Sequence, residues 1–210
     1  MEKSPAITRA FFLVICLFVA IGVQGQESGG RFDTATQAKA AQDLRTFEER
    51  LKTSDRLGGF YLLSRLAPTA LAAGDTAKAS DYAKQLLAMA TDLQKDWNFG
   101  NAIHIGNLVL GEIALDSGDI SEAKRYLLQA GETPGSPQLN SFGPNMLLAR
   151  ELLEKGERET VLRYFELCGH FWELGPEKLE SWSATVKNGS IPKFGANLVY
   201  GMEYQARAAL

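Results

Sequence analysis

The stretch LAPTALAAGDTAKASDY at residues 66–82 returns, changed but recognisable, as LGEIALDSGDISEAKRY at 110–126 and LARELLEKGERETVLRY at 148–164. Each copy turns on a glycine followed by an acid: Gly74-Asp75, Gly118-Asp119 and Gly156-Glu157. Eight residues before each glycine stands a leucine (Leu66, Leu110, Leu148), followed by a small residue (Ala67, Gly111, Ala149). Another leucine stands three before it (Leu71, Leu115, Leu153). Ala79, Ala123 or Val161 comes five after, and Tyr82, Tyr126 or Tyr164 eight after. A unit repeated along a chain implies supersecondary pieces stacked side by side, because one piece cannot bury its apolar face alone.

We read three helical hairpins: 54–73 with 76–93, 101–117 with 121–130, and 144–155 with 158–171. Each glycine ends a first helix, where the chain needs a left-handed residue. The acid beside it then lies at the start of the second helix, where unpaired amides and the helix dipole favour negative charge. Pro68 conflicts with this reading, since a proline inside a helix removes a hydrogen bond and crowds the preceding turn. Either the first helix kinks there, or a short helix starts at Pro68.

Working outward, Ala38, Ala41, Leu44, Phe47 and Leu51 recur at helical spacing and predict a packing helix over 34–52. Residues 26–33 read as a flexible lead-in. The hairpins are joined by long connections. One carries Asp96-Trp97-Asn98-Phe99-Gly100, and the other runs from Gly131 to Gly143 with Pro134, Gly135 and Pro137. The second is too rich in proline and glycine for a helix, and Pro144 suits the first position of the next one. Gly175-Pro176 starts one more helix, with Leu179, Trp182 and Val186 on one side and Asn188-Gly189 at its end. The remainder, with Ile191, Phe194, Leu198, Val199 and Tyr200, is expected to fold back on the last hairpin or to run extended. Alternatively its apolar residues dock on another subunit.

The repeated unit resembles the tetratricopeptide repeat family. Leu66-Ala67, Leu110-Gly111 and Leu148-Ala149 match the family's leucine–small pair. Gly74, Gly118 and Gly156 match its turn, and Ala79 and Ala123 its small position in the second helix. The resemblance covers residues 57–172, with repeats at 57–93, 101–130 and 144–171 and a capping segment at 175–210. Leu63, Asn107 and Asn145 replace the family's early aromatic, and the glycines are 44 and 38 residues apart instead of the family's shorter repeat. What the resemblance implies is an all-α fold, a short right-handed solenoid of helical hairpins over 34–210. It also implies a concave face lined by first helices, which match brings to Ser64, Glu112, Asp116, Met146, Arg150 and Glu154. Glu112 and Arg150 occupy equivalent places and are expected either to pair across the groove or to share a charged peptide.

At the N-terminus, Lys3 and Arg9 precede an uncharged apolar run, Phe11 to Val23, with Val23 and Gly25 suited to cleavage before Gln26. That layout is a secretory signal peptide over 1–25, since a membrane span needs about 20 apolar residues and this run has 13. The protein is therefore expected to be exported, periplasmic or extracellular, with no stable membrane span once the leader is cleaved. The chain carries 22 Lys and Arg against 25 Asp and Glu, a net charge of −3, which argues against nucleic acid as a partner. Without Cys16 in the leader a single cysteine remains, so no internal disulfide is expected and Cys168 reads as a buried thiol.

Candidate chemistry is sparse. His104 and His170 lack metal-ligand spacing, and Cys168 and His170 diverge around a helix, so no catalytic residue, metal or cofactor is expected. Asn101, His104 and Asn107 form a polar row that serves either as a binding stripe or as a set of hydrogen bonds to the neighbouring long loop. Trp97 and Phe99 either anchor that region to the core or face a partner. Glu122, Glu151 and Glu154 read as solvated helix faces. The resulting expectation is a non-catalytic scaffold that binds a protein or peptide in its groove. The alternative is a small-molecule binder or enzyme with a pocket between the long loops, near Trp97, Asn101, His104 and Asn107.

Overall fold

A computed structural model describes residues 31–202, together with Met1. The expected leader, its cleavage site, Cys16 and residues 203–210 lie outside the described residues. Within them the protein is all-α, with no strand. Helices α1 (Thr34–Lys52), α2 (Arg56–Ala72), α3 (Thr76–Asp92), α4 (Phe99–Asp116) and α5 (Ile120–Gly131) come first. Then follow α6 (Pro137–Phe142), α7 (Leu147–Glu154), α8 (Arg158–Cys168), α9 (Pro176–Lys187) and a 3-10 turn at Gly195–Leu198. Among the described residues no helix is long and apolar enough to cross a membrane.

The three hairpins close by the same chemistry. Gly74, Gly118 and Gly156 have φ of 81°, 83° and 87°, with open space where a side chain would go. Conformation, not room, is what demands glycine here. Behind each, the acid's N–H reaches back five residues, from Asp75 to Ala70 O, Asp119 to Ala114 O and Glu157 to Leu152 O, each at 2.9 Å. The glycine's own N–H bonds three back, so the last carbonyls of the first helix are satisfied. The carboxylates of Asp75 and Asp119 then accept the N–H of Lys78 and Glu122, both at 3.0 Å, and cap the second helix. Glu157 makes no such side-chain bond. Gly118→Ala is expected to cost about 1 kcal/mol from φ strain alone. A urea denaturation midpoint unchanged in this variant would contradict that account.

Packing runs from one end to the other. Helix α1 lies on α2, α2 on α3, α3 on α4 and α4 on α5, while α8 joins α5, α7 and α9. Helix α4 also touches α2, α6 and α7, which makes it the central element. One core cluster gathers Leu44, Phe47, Phe60, Leu66 and Leu86 at the α1–α4 end. Another gathers Leu127, Leu152, Tyr164, Trp172 and Trp182 at the α5–α9 end. The repeated tyrosines each sit differently. Tyr82 donates to Glu48 at 2.8 Å, Tyr126 lies under Arg125, and fully buried Tyr164 donates to Asn145 O at 2.9 Å.

Several expectations are corrected. Helix α2 runs through Pro68 as one helix, so no separate helix starts there. The 131–143 connection is not devoid of helix: Ser136 caps α6, its Oγ accepting Leu139 N–H at 3.0 Å, and Pro137 sits in the first turn. A serine before a proline offers the cap and the fixed φ that start a helix. Pro144 does not open α7, which begins at Leu147; Asn145 Oδ1 accepts the Leu147 N–H at 2.8 Å. In α1 it is Ala40 that is buried, while Ala38 is exposed. The last described residues do not run as a strand. Phe194 and Leu198 are buried within their own chain, Phe194 lying 5.0 Å from the Trp182 ring, so these two are not available to another subunit.

The lead-in is likewise tied down at its end. Phe32 is buried in the first core cluster, and Asp33 caps α1 by accepting Thr36 N–H at 2.8 Å. Arg31 reaches across to α4 and α7.

Candidate functional site

Helix α4 begins in a polar network that fastens both long connections. Asn98, its N-cap residue, donates through Nδ2 to Ser64 Oγ of α2 at 3.0 Å. Asn101 Nδ2 donates to Asn98 Oδ1 at 3.1 Å and to Gln138 Oε1 at 2.5 Å, while Ser136 Oγ donates to Asn101 Oδ1 at 2.6 Å. Thr133 Oγ1 donates to Gly100 O at 2.8 Å. Gly100 permits this closeness, because a Cβ there would lie 1.7 Å from the Gly135 carbonyl oxygen.

One turn on, His104 completes the attachment. Its Nδ1 lies 3.0 Å from Ala130 O, and its Nε2 accepts the N–H of Asn145 at 3.1 Å. A carbonyl can only accept and an amide N–H can only donate, so the neutral Nδ1–H tautomer is the one that satisfies both. Burial pushes the imidazole pKa from 6.5 down to about 4, although the Ala130 bond acts the other way. His104 is therefore a buried, neutral clasp with no nitrogen left for proton transfer. Asn107 plays no part in this attachment, donating instead to Ile103 O of its own helix at 2.8 Å.

Beside the network lies a cavity of about 410 Å³. One wall is aromatic: Tyr61 and Trp97 stack with ring centroids 5.4 Å apart and planes at 26°. Tyr61 is held by its hydroxyl, which donates to Asp96 at 2.9 Å, whereas Trp97 is 50% exposed. Phe99, in contrast, packs on the core. The other walls carry amides, from Asn98, Asn101, Gln138 and Asn145, with Ser64, Arg65 and Tyr200 around them. Asn145 is held in place by Nδ2 bonds to Tyr200 O at 2.8 Å and Leu198 O at 3.3 Å. Trp97, Asn101 and His104 are thus brought together with Ser64, which had been expected on a separate face.

The expected groove does not form one open trough. Ser64 belongs to this cavity, and Met146 is fully buried at the start of α7. Arg150 does not pair with Glu112; it bonds Glu154 of its own helix at 3.3 Å, an exposed pair worth about 0–1 kcal/mol. Glu112 meets Arg31 instead. Arg31 Nη1 lies against Glu112 Oε2, without hydrogen-bond alignment, and 2.6 Å from Glu151. Nη2 lies 2.8 Å from Asp116. Glu151 is no solvated face, its side chain being 14% exposed. Glu122 and Glu154 do lie at the surface, paired with Arg125 and Arg150. Burial pushes the Glu112 carboxyl well above the usual range; Arg31 opposes this and Glu151 and Asp116 add to it. Burial also works against the Arg31 charge, but the three carboxyls outweigh it.

Cys168 is fully buried, and burial pushes its thiol far above the usual range, so it is no nucleophile. His170 is exposed in the turn after α8. Among the described residues no group of three or more His, Cys, Asp and Glu side chains is placed to hold a metal ion. Sequence reasoning did not find Tyr61, Asn98, Ser136, Gln138, Asn145 or Arg31. The Ser136-Pro137 helix start was the one local signal available; the others depend on which segments meet in space.

No protein-family model matches the chain, and no curated protein or solved structure matches it.

Proposed function

We propose that this protein is a non-catalytic binding scaffold that takes a peptide segment of a partner and seats one of its side chains in the cavity at Trp97. The carrying observation is the cavity's chemistry. An exposed indole stacked on a braced tyrosine offers a flat apolar face, and the side-chain amides of Asn98 and Gln138 keep donor capacity beyond their bonds to Ser64 and Asn101 for a peptide backbone to use. The fastened loop means that the walls are in place before a ligand arrives, so little ordering cost is left to binding. In keeping with a non-catalytic reading, the one histidine lining the cavity spends both nitrogens on backbone groups.

The backbone closure shared by the three glycine turns supports reading the hairpins as divergent tetratricopeptide-like repeats stacked as a short solenoid, with the cavity formed where α2, α4 and the long connections converge. Export rests on the leader and would make the partner an envelope or extracellular protein. A second reading, a small-molecule site, draws on the same cavity, whose volume falls in the range of about 300–1,000 Å³ typical for such ligands.

Capture from the exported fraction with wild-type protein and a Trp97→Ala variant as parallel baits tests the proposal. A partner held by the first and reduced at least tenfold by the second is expected, with helicity unchanged because Trp97 is outside the core. A partner held equally by both baits would refute the placement of the site.

A further inference from the structure

Among the described residues two Trp, Tyr or Phe rings are exposed, Trp97 at 50% and Phe142 at 52%. They stand on different connections, Trp97 just before α4 and Phe142 at the end of α6, yet each is backed by a tyrosine of the same cavity. Tyr61 stacks on Trp97, and Tyr200 stacks on Phe142 with ring centroids 4.9 Å apart and planes at 21°. Single apolar side chains at a surface need no explanation, but two that flank one cavity form a patch.

Phe142 is not exposed through a loose backbone. Its carbonyl accepts from Asn197 Nδ2 at 3.2 Å, and the same amide donates to Pro144 O at 2.9 Å. Gly143, the next residue, has φ of 87° and lies so close to buried Trp172 that a Cβ there would collide with the indole. Tyr200 is fixed by Asn145, whose Nδ2 donates to its carbonyl at 2.8 Å. The Phe142 ring is thus presented outward by a pinned chain, and it belongs to neither core cluster.

Between the two platforms the lining is polar. Asn98 follows Trp97 in sequence, and Asn98, Asn101 and Gln138 form one hydrogen-bonded row. Gln138 and Phe142 are four residues apart on α6, hence one turn apart on one face. The order is therefore aromatic, amides, aromatic. A short extended peptide presents the matching order, an apolar side chain at each end with backbone N–H and C=O groups between. A wholly apolar occupant would instead leave the spare donors of Asn98 and Gln138 buried without partners.

We propose that the Phe142–Tyr200 pair is a second anchor of the cavity at Trp97, and that the occupant is a peptide segment with two aromatic side chains, one on each platform. This rests on the reading of that cavity as a peptide site and adds the partner's residue pattern to it. In an extended peptide, side chains two residues apart share a face at about 7 Å and those four apart at about 13 Å. The two aromatics fall at one of these spacings.

The test titrates the full chain, wild type and Phe142→Ala, with acetyl-Phe-Ser-Ala amide, acetyl-Phe-Ser-Phe amide and acetyl-Phe-Ser-Ser-Ser-Phe amide, followed by NMR. One of the two-aromatic peptides should bind wild type at least tenfold more tightly than the single-aromatic one does. Phe142→Ala should remove that gain and leave the affinity for the single-aromatic peptide unchanged, because the Trp97 half of the site stays intact. Should the alanine variant lose helicity, Phe142→Leu, which keeps bulk without the flat ring, takes its place, again with a reduced gain expected. Binding of the single-aromatic peptide with no gain from a second ring at either spacing overturns the second anchor and leaves the peptide site standing. A gain that survives loss of the Phe142 ring does the same, whereas no binding by any of the three overturns both. Shifts at Trp97 and Phe142 that appear in the protein alone as its concentration rises identify a second copy as the occupant and also overturn the proposal.

Discussion

His104→Ala is expected to destabilise the protein by about 3–4 kcal/mol and to release the 131–146 connection from α4. The imidazole bonds two buried backbone groups from opposite ends of that connection, Ala130 O and Asn145 N. Alanine leaves both unpaired, at about 1–3 kcal/mol each, and opens a void besides. Asn145 also accepts from Tyr164 and donates to the tail, so the loss spreads to the α8 end. Urea denaturation gives the stability, and hydrogen exchange at 132–146 shows whether the loop has let go. Protection that persists in this segment would mean that Asn101 and Ser136 suffice without the histidine.

The same residue carries a pH signature. An unfolded chain protonates this imidazole near pH 6.5, whereas the folded one resists until about pH 4. Unfolding thus takes up a proton between those values, and stability falls as pH falls through that window, by about 3 kcal/mol in all. Glu112 works in the opposite sense: its raised pKa means that the folded state gains its proton first, adding stability as pH falls. The difference between wild type and His104→Ala isolates the histidine, and it should shrink between pH 6.5 and 4. A constant difference would contradict the neutral clasp.

Gly100→Ala carries the other large effect, about 3 kcal/mol. The new methyl meets the Gly135 carbonyl oxygen at 1.7 Å, backbone against backbone, with no flexible side chain to yield. Either α4 or the loop must move, and the Thr133–Gly100 and Ser136–Asn101 bonds are lost with it. Limited proteolysis should then cut within 132–143 under conditions that leave the wild-type protein intact. An uncut variant of unchanged Tm would show that this approach is not needed for docking.

The repeat was legible because its signal is local. A left-handed glycine, an acid one residue on and leucines at helical spacing act within one turn, and the backbone closure follows them at all three glycines, with the side-chain cap made by Asp75 and Asp119 but not by Glu157. The polar row on α4 was legible as a row, and one of its two readings, hydrogen bonding to the neighbouring loop, matches Asn101 and His104. Asn107 fell out of it because its side chain closes on its own helix. Helix α6 was hidden by the count of prolines and glycines around it, although Ser136-Pro137 carries a start signal. What no local pattern could supply was the position of Arg31. A charge next to Phe32 and Asp33 reads as solvated until the chain is folded, when the core fixes its neighbours and aims it at α4. Folded, Glu112 meets Arg31, and Arg150 bonds Glu154 of its own helix.

The cavity between Trp97 and the fastened loop is the ligand site proposed above. An NMR titration of the full chain with a panel of N-acetyl amino-acid amides tests it most directly. Aromatic amides should bind first, with saturable shifts at the Trp97 indole N–H and the side-chain amides of Asn98, Asn101 and Gln138. No saturable shift at these groups with any member of the panel would contradict the claim.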